Sequence, residues 1–217
     1  MKKNGSSKFD VPIAPMCETF LYRVFKRSID IFVSIIALIL LSPLMGLIAL
    51  GIKFSSQGPV FFRWDVVGKG GKPFTGYKFR TMVEEAHKLR RKLEKFNERK
   101  GPIFKMEKDP RVTPLGRILR KFSLDELPQL WSVIRGDMSL VGPRPVGPDE
   151  WKKFKSWQRR KLSVVPGCIS PWHVWGKNKE FKEWLRCELH YIDHWSLWTD
   201  IKILVGGIWY ILRGKNY

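Results

Sequence analysis

Cysteine is scarce. The three in 217 residues are Cys17, Cys168 and Cys187. They are odd in number and far apart, so they build no disulfide framework and no metal-ligand spacing. The bulk of the chain is expected in a reducing compartment. Acidic residues are also few, at 20 against 40 Lys plus Arg, for a net charge of +20. Such an excess calls for an anionic partner: nucleic acid, lipid headgroups or phosphate esters. A second long uncharged run is missing, which excludes a multi-span permease. Internal repeats are absent, and so is a Walker phosphate loop. GKGG at 68–71 is followed by Lys72 and Pro73 where that motif needs Ser or Thr after the Lys. Apolar residues make up 44%, ordinary for a globular domain, so the chain is no disordered basic tail. Its length suits one domain, or one domain plus an anchor.

The single uncharged run lies between Asp30 and Lys53 and holds 22 residues. As a helix it measures about 33 Å, the thickness of a hydrocarbon layer. Its start about 30 residues in and its length argue against a cleaved signal peptide. Ser42-Pro43 stands at its centre. Pro43 has no N–H and its ring meets the Ile39 carbonyl, so a kink is expected there, with the Ser42 hydroxyl free to satisfy a stranded backbone group. Each arm would then be half a bilayer long. Residues 1–30 hold six Lys/Arg against three acids, and residues 53–217 hold 34 against 17. Both flanks are basic, so the positive-inside rule gives no direction. Spanning and re-entrant arrangements both stay open on the residues alone.

Residues 1–20 read as a mobile tail, 21–53 as the membrane-embedded segment and 54–217 as a cytosolic, membrane-associated domain. Aromatic runs at 59–67 and 73–80 flank GKGG and predict a hairpin. Helices are expected at 83–100, 124–134, 151–163 and 195–212. Eight of the ten Trp follow residue 150. Trp among basic residues suits a bilayer interface, although about half are expected in the core.

RKFSLDELPQLW at 120–131 carries the chemistry. Ser123 with Glu126 has capping-box spacing. A helix capped by Ser123 would place Pro128 too deep, however, so Asp125 is expected at or beside the helix start. Two adjacent carboxylates, Asp125 and Glu126, can hold a divalent cation, and a carboxylate can attack phosphorus to give an acyl phosphate. Capping alone would also explain them. Around them in sequence stand Lys78, Arg80, Arg111, Arg117, Arg120 and, in a rigid GPRP loop, Arg144. Arg forks suit phosphate oxygens, while any one of these could be a surface charge or a structural ion pair.

The chain resembles the monotopic phosphoglycosyl transferases, also called the bacterial sugar transferase family. The matching residues are KRSID at 26–30, LLSPL at 40–44, GPVFF at 58–62 and YKFRTM at 77–82. The match continues through DPRVTPLGRILRKFSLDELPQLWSVIRGDMSLVGPRP at 109–145, PG at 166–167 and WSLWTDIKIL at 195–204. The resemblance implies an α-rich α+β fold: a re-entrant membrane helix hairpin broken at Ser42-Pro43, and a small catalytic domain with amphipathic interfacial helices. It implies transfer of a sugar-1-phosphate from a nucleotide diphosphate sugar, a UDP-sugar first among them, to a polyprenyl phosphate. Asp125 would be the nucleophile, and Glu126 a metal support or proton acceptor. Mg²⁺ would sit on the pair, and Lys78, Arg80, Arg111, Arg120 and Arg144 would take phosphate or substrate. The implied setting is the cytoplasmic face of the bacterial inner membrane, among membrane lipids, without nucleic acid, and compatible with a homo-oligomer. The rival readings are a non-catalytic scaffold for glycan assembly and a membrane-tethered nucleic-acid-binding protein. Departures from the family pattern are Trp64 and Val66 for Gln and Arg, Ile169 and Ser170 for Thr and Gly, His173 for Gln and Lys177 for Arg. With Pro171, they bear on which sugar and nucleotide are used.

Overall fold

The computed structural model describes residues 19–98, 106, 108–176 and 180–214. The expected tail up to residue 18, with Cys17, and the departure at Lys177 lie outside the described residues.

Helix α1 runs over Phe20–Ser55, 36 residues rich in Ile, Leu and Ala. Among the described residues it alone is long and apolar enough to cross a membrane. The expected break is not seen, because the helix is continuous across Ser42-Pro43. Its continuity has a local cause. The Ile39 carbonyl is the acceptor that loses its partner at Pro43, and the Ser42 hydroxyl donates to it at 2.8 Å.

One stripe of α1 faces the rest of the chain at helical spacing: Lys26, Asp30 and Ser34, then Ile48 and Ile52. The opposite face is apolar and bare, with Phe32, Ile39, Leu40 and Leu47 each about two-thirds exposed or more. In water that surface would be a large penalty.

After Gly58, strands β1 (Phe61–Val67) and β2 (Pro73–Phe79) form the expected antiparallel hairpin, in register from Val67 opposite Pro73 to Phe61 opposite Phe79. Gly70 and Gly71 take the positive φ its turn requires. Helix α2 (Ala86–Leu93) ends in a 3-10 turn at Phe96. It is shorter than expected over 83–100.

Thr113 caps α3 (Pro114–Lys121), accepting from the Gly116 N–H at 2.9 Å. A Cβ on Gly116 would lie 2.1 Å from the Thr81 carbonyl, so only glycine lets α3 dock on the end of β2. Helix α4 (Gln129–Arg135) starts later than the expected 124 and ends at Gly136 with φ +94°. Strand β3 (Ser139–Val141) pairs in parallel with β4 (Gly167–Ile169). The crossover holds α5 (Pro148–Lys152), α6 (Ser156–Arg159) and a 3-10 turn at 160–162, so the single helix expected over 151–163 is broken. Helices α7 (Trp172–Trp175), α8 (Phe181–Asp193) and α9 (Leu197–Leu212) complete the chain. The fold is helix-rich with two small sheets, as expected in class. Of the eight late Trp, only Trp184 is buried. Trp157, Trp198 and Trp209 are exposed and the rest are half-buried.

Two sets of contacts fasten α1. At one end the Arg27 guanidinium donates to the carbonyls of Val133 and Ile134, capping α4. Lys26 donates to Asp200 of α9 at 2.6 Å. Asp200 also accepts from Tyr191 at 2.6 Å and from Trp195 at 3.2 Å, while Asp30 accepts from the Leu140 N–H. At the other end Ile48 and Ile52 pack with Phe79 and Leu119.

The Lys26 and Asp200 side chains are only 11% and 10% exposed, so the pair is desolvated. Removing one partner of such a pair costs roughly 3–5 kcal/mol. Asp200→Asn is therefore expected to lower the melting temperature in detergent by about 10 °C. The double variant Lys26→Met, Asp200→Leu should lose less than either single change. A melting temperature unchanged in Asp200→Asn would show that the pair does not hold α1.

Candidate active site

The acidic pair sits on a single tight turn. Ser123 enters it with φ +49°, the only non-glycine positive φ among the described residues. Leu124–Glu126 then form a 3-10 turn, and Pro128 immediately precedes α4. Asp125 therefore lies one turn upstream of the helix start and does not cap it. The turn packs on β2 and α3. Bond by bond, this places the pair between the strand that carries Lys78 and the helix that carries Arg120.

Asp125 is buried, and its pKa is raised to about 6. Burial is the main cause, followed by repulsion from Glu126. The nearby charges of Lys78 and Arg120 oppose the rise. Glu126 goes the other way. Burial alone would lift it, but a salt bridge from Lys78 and the fields of His173 and Arg144 hold it below the ordinary glutamate value. One carboxylate is thus a locked anion, and the other an anion kept short of water and solvating donors.

Each cation expected at the site has a definite place. Lys78 pairs with Glu126, and its Nζ lies 4.9 Å from the Trp64 ring centre. Arg120 donates to the Thr81 hydroxyl at 2.9 Å. Arg144 is held by its backbone, whose N–H donates to Glu188 at 2.6 Å. Its guanidinium lies 3.3 Å from Glu150 and 4.9 Å from the Trp184 ring. Arg80 turns to the end of α1, donating to the carbonyl and hydroxyl of Ser56. Its Nε and Nη1 are buried without a partner among the described residues. Arg111 grips Asp109 with two parallel bonds of 2.9 and 2.6 Å, a buried structural ion pair. Burial would raise Asp109, but the Arg111 bonds hold it low. Arg117 is exposed on α3. Lys78, Arg120 and Arg144 act electrostatically on the acidic pair, whereas the bonds of Arg80 and Arg111 serve α1 and the 109–111 loop.

Sequence reasoning missed the roles of four members of the site wall. Trp64 occurred there only as a departure. Its indole lies across Gly76, where a Cβ would stand 2.5 Å from Nε1. His173 has a lowered pKa, chiefly from burial, although Glu126 and Glu188 pull upward. Glu188 and Lys161 form a buried pair at 2.8 Å, and Glu188 ties Ser170 to the Arg144 loop. The hairpin register could have placed Trp64 beside Lys78. No local signal marked Glu188 or Lys161.

No group of three or more His, Cys, Asp or Glu that could hold a metal occurs among the described residues. Two adjacent carboxylates are what the turn offers. That fits Mg²⁺, which takes one or two carboxylates plus water and phosphate oxygens, and not an all-protein Ca²⁺ cage.

A family model described as bacterial sugar transferase matches residues 21–214. The chain belongs to the bacterial sugar transferase family. It is 37% identical over 207 residues to the exopolysaccharide production protein ExoY of Rhizobium meliloti, covering 93% of this chain and 92% of that protein. It is 39% identical over 198 residues to the galactosyl transferase CpsE of Streptococcus agalactiae, covering 89% of this chain and 43% of that protein. With the undecaprenyl-phosphate galactose phosphotransferase of Salmonella typhimurium it shares 40% over 201 residues, 88% of this chain and 41% of the other. The chain thus spans nearly all of one relative and under half of the other two.

The Asp125 shift sets a pH dependence of stability. An ordinary carboxyl titrates near 3.8 and this one near 6. Between those values the folded protein binds more protons than the unfolded chain, so stability falls as pH rises through that window. Asp125→Asn removes the loss, worth at most about 3 kcal/mol. At pH 7.5 the variant should melt a few degrees above the parent, and below pH 4 the gap should close. A variant that melts lower at pH 7.5 would contradict a strained carboxylate.

Proposed function

We propose that this protein transfers a sugar-1-phosphate from a nucleotide diphosphate sugar, a UDP-sugar first among candidates, to a polyprenyl phosphate. That step starts glycan assembly at the cytoplasmic face of a bacterial inner membrane. The observation that carries the reading is the turn that sets buried Asp125 beside half-buried Glu126, between Lys78 and Arg120, in a chain of this family fastened to a lipid-facing helix. Relatives whose names specify undecaprenyl-phosphate as a partner, from Salmonella typhimurium and Escherichia coli, support the acceptor class.

In this reading a carboxylate oxygen of Asp125 attacks the β-phosphorus. The bond to the nucleoside monophosphate breaks, and its electrons leave on that phosphate. The acyl phosphate formed carries the sugar. An oxygen of the polyprenyl phosphate then attacks the same phosphorus and returns Asp125 as carboxylate. The incomplete solvation that raises Asp125 also makes its ionised form the better nucleophile. Lys78 keeps Glu126 charged, and Arg120 and Arg144 offer forks to phosphate oxygens. Mg²⁺, when bound by Asp125 and Glu126, supplies charge neutralisation for the diphosphate and its leaving group. Asp125→Asn is expected to bring nucleoside monophosphate release to background while the protein stays folded. Excess chelator should silence the parent, and Mg²⁺ should restore it better than Ca²⁺. Substantial turnover by Asp125→Asn would remove the nucleophile from the scheme, and full turnover in chelator would remove the metal.

The same reading extends to topology. Lys26 at one end of α1 and Ile52 at the other pack on one domain, 26 residues or about 39 Å apart along the helix. A helix standing across the bilayer would carry one end away from a domain on one side. We infer that α1 enters and leaves on the cytoplasmic side, with its bare face in lipid. After replacement of the native cysteines, Ser7→Cys and Asn216→Cys should both be labelled only from the cytoplasm. Labelling of Ser7→Cys from outside would mean a spanning helix.

A further inference from the structure

A cavity of about 400 Å³ opens beside the first turns of α1, and none of its lining residues belongs to the acidic site. Four cations line it: Arg23, Lys26 and Arg27 from α1, and Lys69 from the hairpin turn. Asp30 is the one carboxylate in the lining. Arg27 directs its guanidinium to the neutral carbonyls of Val133 and Ile134, so no carboxylate there cancels its charge. Lys26 is balanced by Asp200. Arg23 and Lys69 are exposed. The floor is different in kind. Met138, Val164, Val165 and the Trp195 ring make it apolar.

A basic rim over an apolar floor fits an anion joined to hydrocarbon. The depth fits as well. Leu21, Val24 and Phe25, the residues flanking Arg23 on α1, are exposed and apolar, so the lipid-facing surface begins where the cavity opens. We propose that this cavity is a binding site for the phosphate of an anionic bilayer phospholipid, with its glycerol and first acyl carbons over Val164, Val165 and Trp195. Two solvent-facing cations near a membrane surface each contribute to such binding, and their loss should be felt as a weaker apparent affinity. The proposal rests on α1 lying in lipid, and it is independent of any chemistry at Asp125.

The test uses the full chain in neutral detergent. Melting temperature is followed against dihexanoylphosphatidylglycerol, dihexanoylphosphatidylcholine, farnesyl phosphate and inorganic phosphate, since a ligand of the folded state raises it saturably. The phosphatidylglycerol should give a saturable rise that phosphatidylcholine and inorganic phosphate do not match. Arg23→Ala with Lys69→Ala should weaken it about tenfold or more. Lys152→Ala with Lys153→Ala, an equal charge loss on an exposed surface elsewhere, should leave it intact. Val165→Phe narrows the cavity and keeps every charge, and should also abolish the rise. No saturable rise, an equal rise with phosphatidylcholine or inorganic phosphate, or an unchanged rise in both cavity variants would overturn the site. Tighter saturation by farnesyl phosphate would make it an acceptor pocket and overturn the phospholipid assignment.

Discussion

A lysine and an aspartate one turn apart at the start of a lipid-facing helix must be neutralised by protein. Left in hydrocarbon without a partner, each would cost roughly several kcal/mol. Asp200 is the group that meets this demand. It accepts from Lys26, Tyr191 and Trp195 together, and Asp30 takes the Leu140 N–H beside them. One carboxylate therefore joins α1, α8 and α9, while Asp30 adds β3. Burial and this hydrogen bond push the Tyr191 hydroxyl well above the ordinary tyrosine range, so it stays a donor at any physiological pH. The whole domain is registered against the helix through that knot.

The position of the acidic turn follows from the same fastening. Arg27, next to Lys26, closes the last carbonyls of α4. Helix α4 begins three residues after Glu126, so the turn cannot slide along α1 without breaking those bonds. Farther along α1, Arg80 clamps Ser56, and Ile52 packs with Phe79 on the strand that carries Lys78. Both partners of the Lys78–Glu126 bridge are thus referenced to one helix at two points. In the proposed reaction a soluble donor and a lipid phosphate would have to meet at one place, and a turn fixed to α1 at two points suits that demand.

Much of this was legible in the chain, for local reasons. The hairpin announced itself through aromatic runs around GKGG, and α9 was expected over 195–212, close to where it lies. The Ser42 hydroxyl was foreseen as the partner of a stranded group and is bonded to the Ile39 carbonyl. The helix nevertheless continues through Pro43, because that one bond and the fastening of α1 to the domain on both sides, polar before Pro43 and apolar after it, outweigh a missing N–H. The start of α4 was misplaced because Ser123 adopts the left-handed region, a state decided by what surrounds it and not by its own preference. The roles of KRSID and WTDIK were illegible for another reason. Lys26 and Asp200 are 174 residues apart, and no spacing rule reaches that far.

The departures from the family pattern gain a physical meaning from their positions. Trp64 lies over Lys78, and His173 acts on Glu126, so two of the unusual residues bear on the two halves of one salt bridge. The indole face favours a cation and shields it from water, which strengthens the bridge. Burial lowers the His173 pKa while Glu126 and Glu188 pull it upward, so the ring and Glu126 act on each other. Asp125 stays the titrating member of the pair under both influences. The substitutions therefore alter the wall a sugar or nucleotide would meet while leaving the acidic turn intact. A chain that had lost its chemistry would have no reason to keep a buried carboxylate whose ionisation opposes folding, when asparagine at the same place would relieve it.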